Sequence, residues 1–302
     1  MVVRMSDAQT FVNNGATVAV TNGGVMVVNS PTGTGSLENI AGANGILRNA
    51  GLLQIEGNFI NTSGTADGFG TNTGRYLVQG DWNNNATFNA DNSTVNLYGS
   101  LPQQITGTSI TTFYNLIDSN PGIKTQTINA NVSGTLSLYS VEHATADNLL
   151  TILNPSPTAI AEYGVTDAFV SSTLNGRLVW VTNQNAEYIF PTGINENGPK
   201  IREVSITPPN ANINRTYSVR YADYTGTTNT TSTDGYDTSK KSGLIGEVND
   251  VYYHLINTNG NTDPITLGIY YQPGVDPVWQ SIGQWSGTVS YTHLTLPTKR
   301  IV

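Results

Sequence analysis

The sequence predicts an all-β protein, a β-solenoid-like repeat region followed by a β-sandwich. Three observations predict it. The first is a repeat. Asn49-Ala50-Gly51-Leu52-Leu53-Gln54-Ile55-Glu56-Gly57-Asn58-Phe59 recurs as Thr73-Gly74-Arg75-Tyr76-Leu77-Val78-Gln79-Gly80-Asp81-Trp82. Each copy reads glycine, alternating strand, glycine, Asn or Asp, large aromatic. Gly51 to Gly74 and Gly57 to Gly80 are both 23 residues, and a looser third copy with a strand at 94–98 ends at Gly99, 19 residues on. One short strand and a Gly/Asn turn every 20 or so residues mark a stack of β-coils. The second observation is composition: Asn and Thr make up about a quarter of the chain, beside 31 Gly. Thr suits strands and Asn suits tight turns. The third is that no window sustains an i, i+3, i+4, i+7 apolar pattern. The best helical candidate, 141–153, is short and carries Thr145, Asp147 and Asn148, and its end, 149–153, reads as a strand.

The repeat region spans 8–155. Asn13-Asn14-Gly15 opens a strand at 16–20, Asn22-Gly23-Gly24 turns, and 25–28 returns. A loop at 31–35 precedes the two good copies, which the polar segment 62–73 joins. Strands follow at 86–88, 94–98 and 104–107. Segment 112–117, Thr-Phe-Tyr-Asn-Leu-Ile, has few polar interruptions and reads as a strand buried on both faces; 127–128 and 132–138 complete the run. Inward side chains of successive coils stack, so Leu53, Ile55 and Leu77, with the aromatics Phe59 and Trp82, are expected to fill the axis. Asn58 and Asp81 are the candidates for a side-chain ladder between coils. An aromatic that recurs once per period belongs to a core; the alternative for Phe59 and Trp82 is an exposed platform for a sugar ring.

At Asn154-Pro155-Ser156-Pro157 the composition shifts and the period disappears, which places a boundary there. The second region, 156–288, has strand candidates at 168–171, 177–181, 188–190, 203–206, 217–221, 252–256, 265–271 and 279–282. Short strands with Gly, Pro and Asn turns argue a β-sandwich. Segment 225–241 reads as an exposed loop and 257–263 as a hairpin loop.

Length allows two domains and a sizeable core. The charged fraction is 11%, against a usual quarter. Cysteine is absent, which fits a bacterial surface protein and a cytosolic one equally. A net charge of −8 without a basic patch argues against nucleic acid. No apolar run approaches the length of a membrane span.

Both ends depart from the pattern. Val289-Ser290-Tyr291-Thr292-His293-Leu294-Thr295-Leu296-Pro297-Thr298 resembles one reading frame of a transposon-type sequencing adapter, a string that ends unrelated metagenomic translations. Lys299-Arg300-Ile301-Val302 would be read from the index behind it. Segment 289–302 is therefore expected to be an artefact, to be set aside in fold reasoning. The natural chain is then expected to continue past Thr288. Residues 1–7 are too short and polar for a secretory signal, whereas Ala8-Gln9-Thr10-Phe11 resembles the start of a mature exported protein, so the signal is expected upstream.

Phe113-Tyr114-Asn115-Leu116, Val132-Ser133-Gly134-Thr135-Leu136, Gly176-Arg177-Leu178 and Tyr188-Ile189-Phe190-Pro191-Thr192-Gly193 follow one another in a familiar order. It resembles that of large secreted, adhesin-like surface proteins of the Bacteroidota exported by the type IX system. The resemblance covers most of 9–285 and rests on structural motifs. It implies a repetitive β region, a β-sandwich, further modules and a C-terminal sorting domain. The chain departs from the family at Tyr253, where Trp is frequent, and holds no sorting domain. The resemblance carries no catalytic motif.

The residues themselves offer little chemistry. His143 and His254 lack a paired carboxylate at meaningful spacing except Glu142. No Gly-x-Ser-x-Gly elbow, His-Glu-x-x-His or phosphate loop occurs. The acids Glu56, Asp67, Asp81, Asp91 and Asp118 and the bases Arg48, Arg75 and Lys124 share no register, which argues against a β-helix polysaccharide lyase. Asp234-Gly235-Tyr236-Asp237 and loop 257–263 offer oxygen ligands for calcium but no spaced Ca²⁺-loop pattern. No catalytic, cofactor-binding or metal residue is assigned, and no cofactor. The expectation is a non-enzymatic, extracellular or cell-surface structural or adhesion protein. Surface glycans or other surface proteins would be its partners, with no nucleic acid and no membrane span. The alternative is a carbohydrate-binding accessory module of a secreted polysaccharide-active enzyme.

Overall fold

The computed structural model describes residues 2–4, 10–29, 35–40, 45–68, 73–163, 168–173, 175–195, 200–223, 245–259, 263–272, 274–276, 282–285 and 290–291. Every regular element in them is a β-strand. Three strands make a coil, and coils stack in parallel into a β-solenoid. One face stacks Val2–Arg4, Val25–Asn29, Leu52–Ile55, Arg75–Val78, Thr94–Leu97, Asn115–Asp118, Leu136–Leu138 and Ile160–Ala161. The second stacks Phe11–Asn14, Leu37–Ile40, Phe59–Asn61, Trp82–Asn84, Gln103–Gly107, Lys124–Gln126, Glu142–Ala144 and Phe169–Ser171. The third is split: Thr17–Val20, Ile46–Asn49, Thr65–Gly68 and Thr87–Asn89 form one sheet, and Thr111–Phe113, Ala130–Val132, Leu149–Ile152 and Arg177–Thr182 belong to another.

The sequence repeat is this stacking. Leu53 pairs with Tyr76, Ile55 with Val78 and Phe59 with Trp82, so the two copies lie on each other in register. Period-2 alternation sends every second side chain inward. Leu53, Ile55, Phe59, Tyr76, Val78 and Trp82 are fully buried. Leu77 is not among them. It pairs with the outward Gln54 and is only half-buried, since the inward positions of its strand fall to Tyr76 and Val78. Segment 112–117 is likewise corrected. It is two strands broken at Tyr114, where the chain turns from the third face to the first. Phe113, Leu116 and Asp118 point inward, while Thr112 and Ile117 are only half-buried. Gly74 sits at a close approach of two coils: a Cβ there would stand 1.9 Å from the Asn49 carbonyl oxygen, so no other residue fits.

Parallel stacking does not stop at the expected boundary near residue 155. Ile160–Ala161, Phe169–Ser171 and Arg177–Thr182 each add a parallel strand to a face of the solenoid. Asn154 and Pro155 lie at a corner. The Asn154 amide donates to the Gly134 carbonyl at 2.9 Å, and Trp180 Nε1 and Tyr188 Oη donate to the Asn154 and Pro155 carbonyls at 3.0 and 2.6 Å. Prolines change the composition of a corner without breaking the ladders beside it.

Antiparallel pairing begins on the far edge of Arg177–Thr182, which takes Arg215–Asp223 as its next neighbour and then Tyr252–Thr258. A second antiparallel sheet orders Tyr188–Phe190, Val204–Thr207 and Thr266–Ile269. Trp180 joins the two, with Tyr188 and Phe190 edge-on at 5.1 and 5.5 Å. One hydrophobic cluster runs from Val20 through the coils to Val219, so the two regions share a core. The expected loop at 225–241 lies outside the described residues, as does the expected strand at 279–282 apart from Ile282. Of segment 289–302 the described residues are Ser290–Tyr291, antiparallel to Gln284–Trp285.

Candidate functional site

Three groups of side chains have the chemistry to do something. The first is a ladder inside the solenoid. Asn13, Asn39, Asn61 and Asn84 occupy one inward position of the second face, each at most 2% exposed. Asn13 Nδ2 donates to Asn39 Oδ1 at 2.8 Å, Asn39 to Asn61 at 3.0 Å and Asn61 to Asn84 at 2.9 Å. Asn84 Nδ2 then donates to Thr111 Oγ1 at 3.2 Å, which also accepts from Trp82 Nε1 at 3.1 Å. Asn58 and Asp81, expected as the ladder, act differently. Asn58 Oδ1 accepts the Asp81 backbone N–H and Asp81 Oδ1 the Gln104 N–H, both at 2.7 Å. Each side chain thus ties to the backbone of the next coil. Phe59 and Trp82 are both 0% exposed, so neither offers a ring to a sugar.

The second group follows where the Asn ladder ends. Asp118 from the first face and Lys124, Gln126 and His143 from the second are sealed in the axis. His143 Nδ1 lies 2.6 Å from Asp118 Oδ2, and its Nε2 lies 2.9 Å from Gln126 Oε1. The Gln126 amide is oriented by its Nε2, which donates to the Ile128 and Leu149 carbonyls at 2.9 and 3.2 Å. Its oxygen therefore faces His143, and both ring nitrogens meet acceptors. Lys124 Nζ donates to the Gly99 carbonyl at 2.8 Å. Burial pulls its ammonium down to about 8, against the raising influence of Asp118. His143 had no partner in the local sequence; its partner, Asp118, is 25 residues away. The signal was parity: both sit at inward positions of alternating strands.

The third group lies between the antiparallel sheets. Arg202, 1% exposed, pairs with Asp276 at 2.6 Å, and its guanidinium stands 5.4 Å from the Tyr252 ring centre. His254 Nε2 lies 2.9 Å from the Arg202 carbonyl and donates to it. Burial first, and the Arg202 charge besides, hold this imidazole down at about 4. Lys200 pairs with Asp223 at 2.9 Å. Arg215 pairs with Asp263, so that acid of the expected calcium loop 257–263 is engaged. Asp234 and Asp237 lie outside the described residues. Among the described residues no group of three or more His, Asp or Glu is placed to hold a metal ion, and no helix is long and apolar enough to cross a membrane.

Of the acids and bases of the coils, Asp118 lies with Lys124 and His143 in the axis. Arg48 reaches Asp67 at 3.9 Å on the surface, where such a pair contributes little. No protein-family model, curated protein or solved structure matches the chain.

Proposed function

We propose that the chain belongs to a non-enzymatic, exported cell-surface protein, in which a stiff coil stack holds binding surfaces in fixed positions for adhesion or as a scaffold. The observation that supports this is how the coils use their polar groups. Asp118, Lys124, His143 and the Asn ladder are sealed in the axis and tie one coil to the next. Their hydrogen bonds join segments about one period apart, and a reactant would have no approach to them. Such groups supply rigidity and register. The adhesin-like resemblance of the strand motifs points the same way.

The test is retention under flow. A surface coated with the chain is expected to hold cells or glycan-coated particles, and to release no product from pectin or alginate. Uronate release that Asp118→Asn abolishes, with the fold intact by circular dichroism, would overturn the reading. A second reading, a carbohydrate-binding accessory module, is favoured by the exposed Tyr139, 47% accessible on the outside of the coils. The two part on particles that carry no glycan, which only an adhesin with protein partners retains.

A further inference from the structure

The outer surface of the first face carries a column of residues just past the end of each strand. Pairing fixes its members. Ile55, Val78, Leu97, Asp118 and Leu138 are aligned rung by rung, so the residues that follow them, Glu56, Gln79, Tyr98, Ser119 and Tyr139, form one row. Backbone bonds continue the ladder through the row: Tyr98 N–H to the Val78 carbonyl at 3.0 Å, Ser119 to Leu97 at 3.0 Å and Tyr139 to Asp118 at 2.9 Å. The side chains inward of this row are buried, so alternation turns the row itself outward.

The backbones of two tyrosines therefore stand two rungs apart, about 10 Å by the spacing of paired strands. Between them sits the small Ser119, whose hydroxyl donates to Asn96 Oδ1 at 2.8 Å. Tyr98 has the Gln54 and Glu56 side chains beside its hydroxyl. It is half-buried, while Tyr139 is open to solvent. Aromatic faces are electron-rich and take the apolar C–H face of a pyranose; amides and hydroxyls beside them take its hydroxyls. Glu56 in the row, on a chain of net charge −8, disfavours a uronate or sulfated polymer.

We infer that this row is a binding strip for an extended, uncharged polysaccharide of pyranoses, with the exposed ring of Tyr139 stacking on one sugar and Tyr98 flanking the strip. It deepens the surface-protein reading by naming a partner, and rests on that reading only for the expectation that the outer surface of the coils meets one. The experiment is titration calorimetry of the full chain with cellohexaose, xylohexaose and a polygalacturonate oligomer. Binding of a neutral hexaose is expected, about fivefold or more weaker in Tyr139→Ala and retained in Tyr139→Phe. Tyr139 is exposed, so the fold survives either change. No binding by the native chain, binding unmoved by Tyr139→Ala, or preference for the uronate would each overturn the strip. None of these touches the adhesive reading, which fails separately if coated surfaces retain nothing under flow.

Discussion

Trp82 lies flat on Phe59, ring centres 4.1 Å apart and planes within 13°, the two aromatics being the same position in successive coils. Tyr76 meets both edge-on at 6.0 Å, and Phe88 closes on Trp82 at 4.9 Å. The indole is thus enclosed by rings and anchored by its N–H on Thr111. Trp82→Ala is expected to destabilise the protein by about 3–5 kcal/mol, the cost of a large cavity in a core that cannot collapse. Trp82→Phe should cost less, since it keeps the stack and loses the bond to Thr111. Denaturant midpoints measure both.

The Asn ladder predicts a penalty that size does not explain. Asn61→Leu keeps the branched shape but takes the short bond from the Asn39 amide and from the Asn84 oxygen, leaving each with one long bond of 3.4 Å, to the Thr65 carbonyl and from the Ala86 N–H. Each group so left costs about 1–3 kcal/mol. Asn58→Ala, which frees one backbone N–H at the half-buried Asp81, should cost clearly less. If the two variants melt alike, the ladder does not contribute as described.

Two basic groups with lowered ionisation give pH slopes of the same sign, stability rising with pH, in two separate windows. His254 sits at about 4, below the ordinary 6.5 of the unfolded chain. As pH falls from 6.5 to 4, the unfolded state takes up a proton that the folded state refuses, so stability falls in that window. His254→Gln is expected to flatten the slope there. Urea midpoints between pH 7 and 4 decide it.

Lys124 sits at about 8 against 10.5 unfolded. Below pH 8 both states carry the charge and the folded state bears its burial. Between 8 and 10.5 the folded state sheds the proton first, so stability rises with pH. Lys124→Met should remove that rise.

The hydrogen bonds around His143 predict a cost for removing the ring. His143→Leu leaves Asp118 Oδ2 and Gln126 Oε1 in the axis without the partner that each now has. Each orphaned group costs about 1–3 kcal/mol, and denaturant midpoints measure the sum.

The period, the strands and the core aromatics were legible because each is a local pattern. Leu77 misled because it is apolar at an outward position; only pairing against Gln54 shows its direction. The ladder was expected one residue ahead of the aromatic, at Asn58 and Asp81. It lies two residues after it, at Asn61 and Asn84, where strand alternation returns inward. The boundary near Pro155 was read from composition, but stacking depends on strand register, which prolines at a corner leave intact. The Asp118–His143 pair could not be read from either residue's neighbours, since the solenoid supplies each with its partner from another coil.

Strand Arg177–Thr182 is parallel to its neighbour on one edge and antiparallel on the other. A parallel coil presents to the next one a bare edge with the same register as its own, and such an edge templates further copies without limit. Reversing direction at this strand ends that invitation on the third face. Arg215–Asp223 and Tyr252–Thr258 cover the edge with a pattern that no further coil matches. On this face the run of matching parallel edges thereby stops at a defined coil.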